Sequence, residues 1–159
     1  MRWIGFIGAF ALATGVGLIL AGQLGMLQGT PPGDLGVNGG RLKPPSMTSN
    51  SVSSQAGLYP DHPQRLGAMV TAFAVRGSAA ESLARIEIIL RAMPGTQIIQ
   101  SDGHYIYAQC STPLLRFTDD VEFWWDASQG VIQVRSASRL GAGDLGTNRK
   151  RVEAIRAQF

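Results

Sequence analysis

Residues 116–138 read RFTDDVEFWWDASQGVIQVRSAS, and their alternation decides the fold. Two runs, 115–125 and 131–138, are rich in β-branched and aromatic residues and flank Ala127-Ser128-Gln129-Gly130, a turn signal. Closed as a tight hairpin, they set Trp125 opposite Ile132, Phe123 opposite Val134 and Glu122 opposite Arg135. Successive side chains of a strand point to opposite faces. One face then carries Val121, Phe123, Trp125, Ile132 and Val134, and the other carries Asp120, Glu122, Trp124, Gln133 and Arg135. Such a division predicts an antiparallel pair whose apolar side packs on a core.

Upstream, Ser78 and Glu81 form the Ser-x-x-Glu pattern that opens a helix. Leu83, Ile86, Leu90 and Met93 follow at helical spacing, with Ile89 beside them, until Pro94-Gly95 stops the run. Two further strand-like runs, 96–100 and 105–111, are separated by the turn signal Ser101-Asp102-Gly103. Residues 66–75, LGAMVTAFAV, fit a strand or an extended packing segment, and the pattern leaves both open. The chain closes with a helix over 147–159, with Val152, Ile155 and Phe159 on one side. Helix, strands, helix predicts an α+β domain over 47–159: an antiparallel sheet of about four strands with two helices packed on one face.

The amino-terminal part has another chemistry. Between Trp3 and Gly33 there is no Asp, Glu, Lys or Arg. The apolar run 3–22 would span about 30 Å as a helix, the thickness of a hydrocarbon core. Arg2 precedes it and no basic residue follows until Arg41, which predicts a cytoplasmic amino terminus and an exported domain. The expected arrangement is therefore one N-terminal transmembrane helix within 1–27, single-pass in the inner membrane, with the C-terminal domain in the periplasm. A cleaved signal peptide has the same charge order, but this run is long for one and no clear A-x-A site follows. Gln23 stands where a lipoprotein would need cysteine, so a lipid anchor is excluded. Residues 28–46 read as a Gly/Pro-rich linker too poor in large apolar residues to bury a core.

The net charge of +3 conceals two opposed patches. Asp119, Asp120, Glu122 and Asp126 stand against Arg116 alone over 116–126, whereas Arg135, Arg139, Arg149, Lys150 and Arg151 surround a loop containing Gly141, Gly143 and Gly146. The glycines match G-x-G-x-x-G, but no βαβ unit surrounds them, so a dinucleotide site is rejected. Glycine-rich backbone entering a helix can still present N–H groups to an anion. Three bases in the helix's first turn oppose its macrodipole, which calls for an anion or an acidic partner. The candidate ligand-binding residues are Arg135, Arg139, Asn148, Arg149, Asp120, Glu122 and Gly143. An internal network is the competing reading, with Glu122 on Arg135, Asp120 near Arg139, and Arg149 pairing with Glu153 along the helix.

Other chemistry is thin. Asp120 and Glu122 share a face but Asp119 points away, and arginines flank all three, so no metal is expected. His62 and His104 stand outside any zinc spacing. Cys110 is the sole cysteine, expected as a buried structural thiol, with no local histidine partner. No cofactor is predicted. Beyond the apolar run, 13 bases against 11 acids give no nucleic-acid footprint.

Three blocks carry a resemblance: Arg116-Phe-Thr-Asp-Asp-Val-Glu-Phe123, Val134-Arg-Ser-Ala-Ser-Arg-Leu-Gly141 and Asp144-Leu-Gly-Thr-Asn-Arg-Lys-Arg151. With Asn50-Ser-Val-Ser-Ser-Gln55 upstream, residues 45–159 resemble the domain of unknown function 1499 family. The family often has cysteine where this chain has Ser51. The resemblance implies a small domain of bacteria and chloroplasts, often behind an export signal or membrane segment, and brings no activity with it. It also implies that the acidic and basic blocks form one unit.

The function read from the sequence is a membrane-anchored periplasmic binding or interaction module of unknown activity, taking an anionic small molecule or a protein partner. An enzyme of envelope metabolism is the second reading and would draw on Asp120, Glu122 and Asp144. A structural component of a membrane complex is the third.

Overall fold

A computed structural model describes the backbone of residues 2–159 and the side chains of residues 12–159. The apolar run lies in helix α1 (Arg2–Gln23). The expected transmembrane span falls partly on side chains outside the described residues; among the described residues no helix is long and apolar enough to cross a membrane.

The domain follows as β1 (Ser51–Ser53), a 3₁₀ turn (Ala56–Leu58), α2 (Arg65–Ala68), β2 (Phe73–Ala74), α3 (Ala79–Ala92), β3 (Thr96–Ser101), β4 (Tyr105–Ser111), β5 (Thr118–Asp126), β6 (Val131–Ser138) and α4 (Thr147–Gln158). The hairpin β5–β6 has the predicted register, with Glu122 opposite Arg135, Phe123 opposite Val134 and Trp125 opposite Ile132. The α+β class holds, but the sheet is larger than expected, with six strands in place of about four. The main order is β1-β6-β5-β4-β3, and β2 also pairs with β6. Both extra strands line the outer edge of β6, β1 opposite 135–137 and β2 opposite Val131 and Ile132. They are three and two residues long, too short for an alternating pattern to register. The undecided stretch 66–75 resolves into most of α2 and all of β2.

α3 begins as the sequence dictates. The Ser78 hydroxyl accepts from the Glu81 amide, and the Glu81 carboxylate accepts from the Ser78 amide. Its buried Leu83, Ile86, Ile89 and Leu90 meet Val121, Phe123, Ile132 and Val134 of the sheet and Val152, Ile155 and Phe159 of the α4 end. Phe73 closes this core edge-on to Phe123 and Phe159, with ring centroids 5.5 and 5.3 Å away.

The opposite face of the sheet is also covered, by the Gly/Pro-rich segment. Leu42 is only 1 % exposed, and its amide donates to the Gln55 side chain at 2.8 Å. The Gly36 amide donates to Glu122 at 2.8 Å, and the Pro44 carbonyl accepts from Arg135 at 3.3 Å. The segment carries no helix or strand of its own, and the backbone groups of Gly36 and Pro44 find partners on the charged face of the sheet.

Candidate functional site

The pleat sorts the predicted site residues into three places. Beneath the Gly/Pro-rich segment, Asp120 and Arg139 form a two-pronged ion pair, with Nε at 2.9 Å from Oδ2 and Nη2 at 2.7 Å from Oδ1. The Tyr107 hydroxyl donates to Asp120 at 2.6 Å and accepts from Arg139 at 3.2 Å. That hydrogen-bonded carboxylate raises the Arg139 pKa further, and burial together with Asp120 pushes the Tyr107 phenol up. Beside them, Glu122 is fully buried and accepts from the Tyr105 hydroxyl at 2.8 Å and from Arg135 at 3.4 Å. Burial, then the charge of Glu122, drives the Tyr105 phenol far above its ordinary range, so it stays a proton donor to that carboxylate. Both arginine side chains are 4 % exposed. They border a cleft of about 350 Å³ whose far wall is Lys43 to Met47.

On the helix-covered face, Asp119 pairs with Arg151 of α4 at 2.6 Å. The same guanidinium reaches Asn148 Oδ1 at 2.8 Å, which also accepts from the Ser136 hydroxyl at 2.5 Å. Asn148 is fully buried, and its Nδ2 donates to the Asn50 carbonyl, Ser138 Oγ and Asp144 Oδ2 at 3.0, 2.9 and 2.8 Å. Asn148 is therefore a clasp joining β1, β6 and the glycine loop.

The start of α4 is the third place. Gly146 sits in the left-handed region at φ 77° and offers no side chain to cap the helix. Asp144 does so instead, taking the Gly146 amide on one oxygen at 2.9 Å and the Asn148 amide on the other at 2.8 Å. Burial works against its ionisation, but the Asn148 and Gly146 bonds outweigh it and hold the pKa below the ordinary carboxylate value. The anion expected at this helix terminus is thus the protein's own carboxylate.

Arg149 does not pair with Glu153 as expected. Its two terminal nitrogens donate to the Met69 and Gly67 carbonyls, each at 2.9 Å, and Glu153 binds Arg156 instead. The end of α2 lies nearer to Arg149 than the sequence could indicate. Arg149 has no ion-pair partner among the described residues. It borders a cleft of about 370 Å³, together with Ser49, Ser51, Gln64, Gly143 and Asp144.

The predicted residues therefore do not converge. Arg135, Arg139, Asp120 and Glu122 belong to the internal network that was the competing reading, with the cross-strand pairs as expected. Gly143 and Arg149 share a separate cleft. Asn50, Tyr105, Tyr107 and the Arg151–Asp119 pair lie outside the candidate site residues read from the sequence, although the pleat rule alone sends Asp119 to the helix face. Among the described residues no three His, Cys, Asp or Glu side chains gather as a metal site. Cys110 is buried, and burial raises its thiol pKa. Asp120 and Glu122, two of the three carboxylates the enzyme reading would draw on, are both ion-paired in the interior.

These interlocked blocks, from Leu42 through Asn50 to Arg151, coincide with a family match. The family model described as protein of unknown function (DUF1499) matches residues 41–159. The chain belongs to that family. No curated protein and no solved structure gives a significant match. The DUF1499 match begins at residue 41, so it includes Leu42, bonded to Gln55, and Pro44, bonded to Arg135 of the sheet, and leaves α1 outside.

Proposed function

We propose that this DUF1499 chain is a membrane-tethered, extracytoplasmic binding module that holds an anionic group in the cleft at Arg149. The observation that carries the reading is the Arg149 guanidinium. It is fixed by two main-chain carbonyls, has no ion-pair partner among the described residues and borders an open cleft that Asp144 also lines, the carboxylate oxygens of Asp144 being taken by the Gly146 and Asn148 amides. Carbonyl oxygens orient the guanidinium without neutralising it, so its charge remains available to a ligand phosphate or carboxylate. Ser49, Ser51 and Gln64 add hydroxyl and amide groups, and Gly143 leaves the loop side open. The tether is α1, whose run 3–22 is charge-free, with Arg2 before it and Arg41 the next base. That order favours an inner-membrane, single-pass placement with the domain in the periplasm.

The test is a titration of the full chain in micelles with inorganic phosphate, following the amide resonances of residues 143–149. Saturable shifts centred on Gly143 and Arg149, lost in Arg149→Gln at unchanged melting temperature, support the reading. Equal shifts in wild type and Arg149→Gln would reject it.

A further inference from the structure

The carboxy-terminal end of α1 is bound to one particular edge of the domain. Gln23 Nε2 donates to the carbonyls of Pro113 and Leu114 at 3.1 and 2.9 Å. Gly22 lies so close to this loop that a Cβ there would sit 2.5–2.8 Å from Leu115 backbone atoms, which only glycine permits. After the turn that follows, the chain returns to the neighbouring loop, where Gly29 lies against Arg139 and Leu140. The β4–β5 and β6–α4 loops therefore stand together at the foot of α1.

That edge is unusually apolar for a surface. Leu114 is 64 % exposed, Leu145 95 %, and Phe117 and Leu140 are also exposed. Phe117, Leu140 and Leu145 border one cleft of about 290 Å³ between the two loops. The same loops hold the two described non-glycine residues with positive φ, Arg116 at 57° and Leu145 at 52°. A left-handed leucine with its side chain in water pays both backbone strain and apolar exposure. Lipid removes the second cost.

We propose that this edge is a membrane-docking rim: Leu114, Phe117, Leu140 and Leu145 enter the boundary between headgroups and acyl chains around the exit of α1. The proposal rests on the reading of α1 as a membrane tether. If residues 3–22 fill the hydrocarbon core, Gly22 and Gln23 lie at its surface, and the loop bound to them lies there too. Arg116, exposed in the same loop, then meets lipid phosphate. The opposite end of the sheet, at the 127–130 turn, points away from the bilayer.

The test uses the full chain with Cys110 replaced by alanine, reconstituted into phosphatidylcholine vesicles containing phosphatidylglycerol. An environment-sensitive fluorophore is placed through Leu145→Cys, through Phe117→Cys, or through Gln129→Cys as the distal control, each labelled chain melting as the unlabelled one does. The expected result is blue-shifted emission, quenched by nitroxide-bearing lipid chains, at 117 and 145, and water-like emission quenched by iodide at 129. If the chain floats with the vesicles but 117 and 145 are as accessible to iodide as 129, the rim is overturned and the tether stands. If the chain does not float, both are overturned.

Discussion

Asp119 and Asp120 are neighbours in β5, and both are buried, yet they lie under different roofs. Asp119 faces α4 and pairs with Arg151 at the end of an apolar core built from two helices. Asp120 faces the other way and pairs with Arg139 beside a segment that has no regular structure. The helices satisfy their own backbone and bring apolar side chains, so the face that receives them is apolar. The 28–46 segment brings little apolar surface and a backbone with no ladder partner. The face that receives it must supply acceptors and donors, and Glu122 and Arg135 do so for Gly36 and Pro44, while Gln55, just after β1, does so for Leu42. The charged sheet face is thus a surface for binding the chain's own backbone.

The comparison breaks most readily at Glu122. Glu122→Ala leaves Arg135 buried without its carboxylate, for an expected loss of about 3–5 kcal/mol in denaturant unfolding, similar to a large core truncation. A loss below about 1 kcal/mol would mean that the face is solvated after all.

The two aspartates offer a sharper probe. Asp119→Asn and Asp120→Asn should each cost about 1–3 kcal/mol, because each leaves a buried guanidinium without its counter-charge. Their effects should add within about 0.5 kcal/mol, since the two networks share no partner across the pleat. Strong coupling between these adjacent residues would mean one network rather than two.

Shortening the chain to begin at residue 41 tests what α1 and the first part of the irregular roof add together, since it also removes the Gln23 bonds to Pro113 and Leu114. It removes the Gly36 amide from Glu122 and keeps Leu42 and Pro44. The expected cost is about 1–2 kcal/mol by thermal or urea unfolding, with an intact fold. An unchanged stability would show that residues before 41 merely rest on the sheet.

The smallest effect belongs to Asp144. Asp144→Ala removes the α4 cap, for about 1 kcal/mol at neutral pH. The folded pKa is depressed, so this contribution is present above the unfolded carboxylate value of about 4 and fades as pH falls through the folded value. The stability gap between wild type and Asp144→Ala should therefore close in acid. A gap that is constant with pH would make the cap a matter of geometry and not of charge.

The β5–β6 register was legible because a tight turn and a strict alternation leave one arrangement with all apolar residues together. The α3 start was legible because a capping box is local. Helical spacing assigns Arg149 to Glu153, but the carbonyls of Gly67 in α2 and of Met69 just after it, 82 and 80 residues away in sequence, take it instead. The α4 terminus is capped by Asp144, three residues before the helix, so the helix amides are not what is left for an external anion; the Arg149 side chain is. Local rules assign a long side chain to its nearest partner in sequence, and they do not know which loop folds beside it.

The sequence by itself determined the α+β class, the pairing register of β5 and β6 and the separation of a charge-free amino terminus from a charged domain. All of these follow from periodicity and charge order along the chain. Tertiary structure alone decided that the glycine- and proline-rich stretch covers the sheet, that Asp119 and Asp120 serve different networks, and that Arg149 stands apart from the arginines it resembles. The reason is physical. Periodicity fixes which way a side chain points, but its partner is fixed by whichever distant backbone needs a hydrogen bond there.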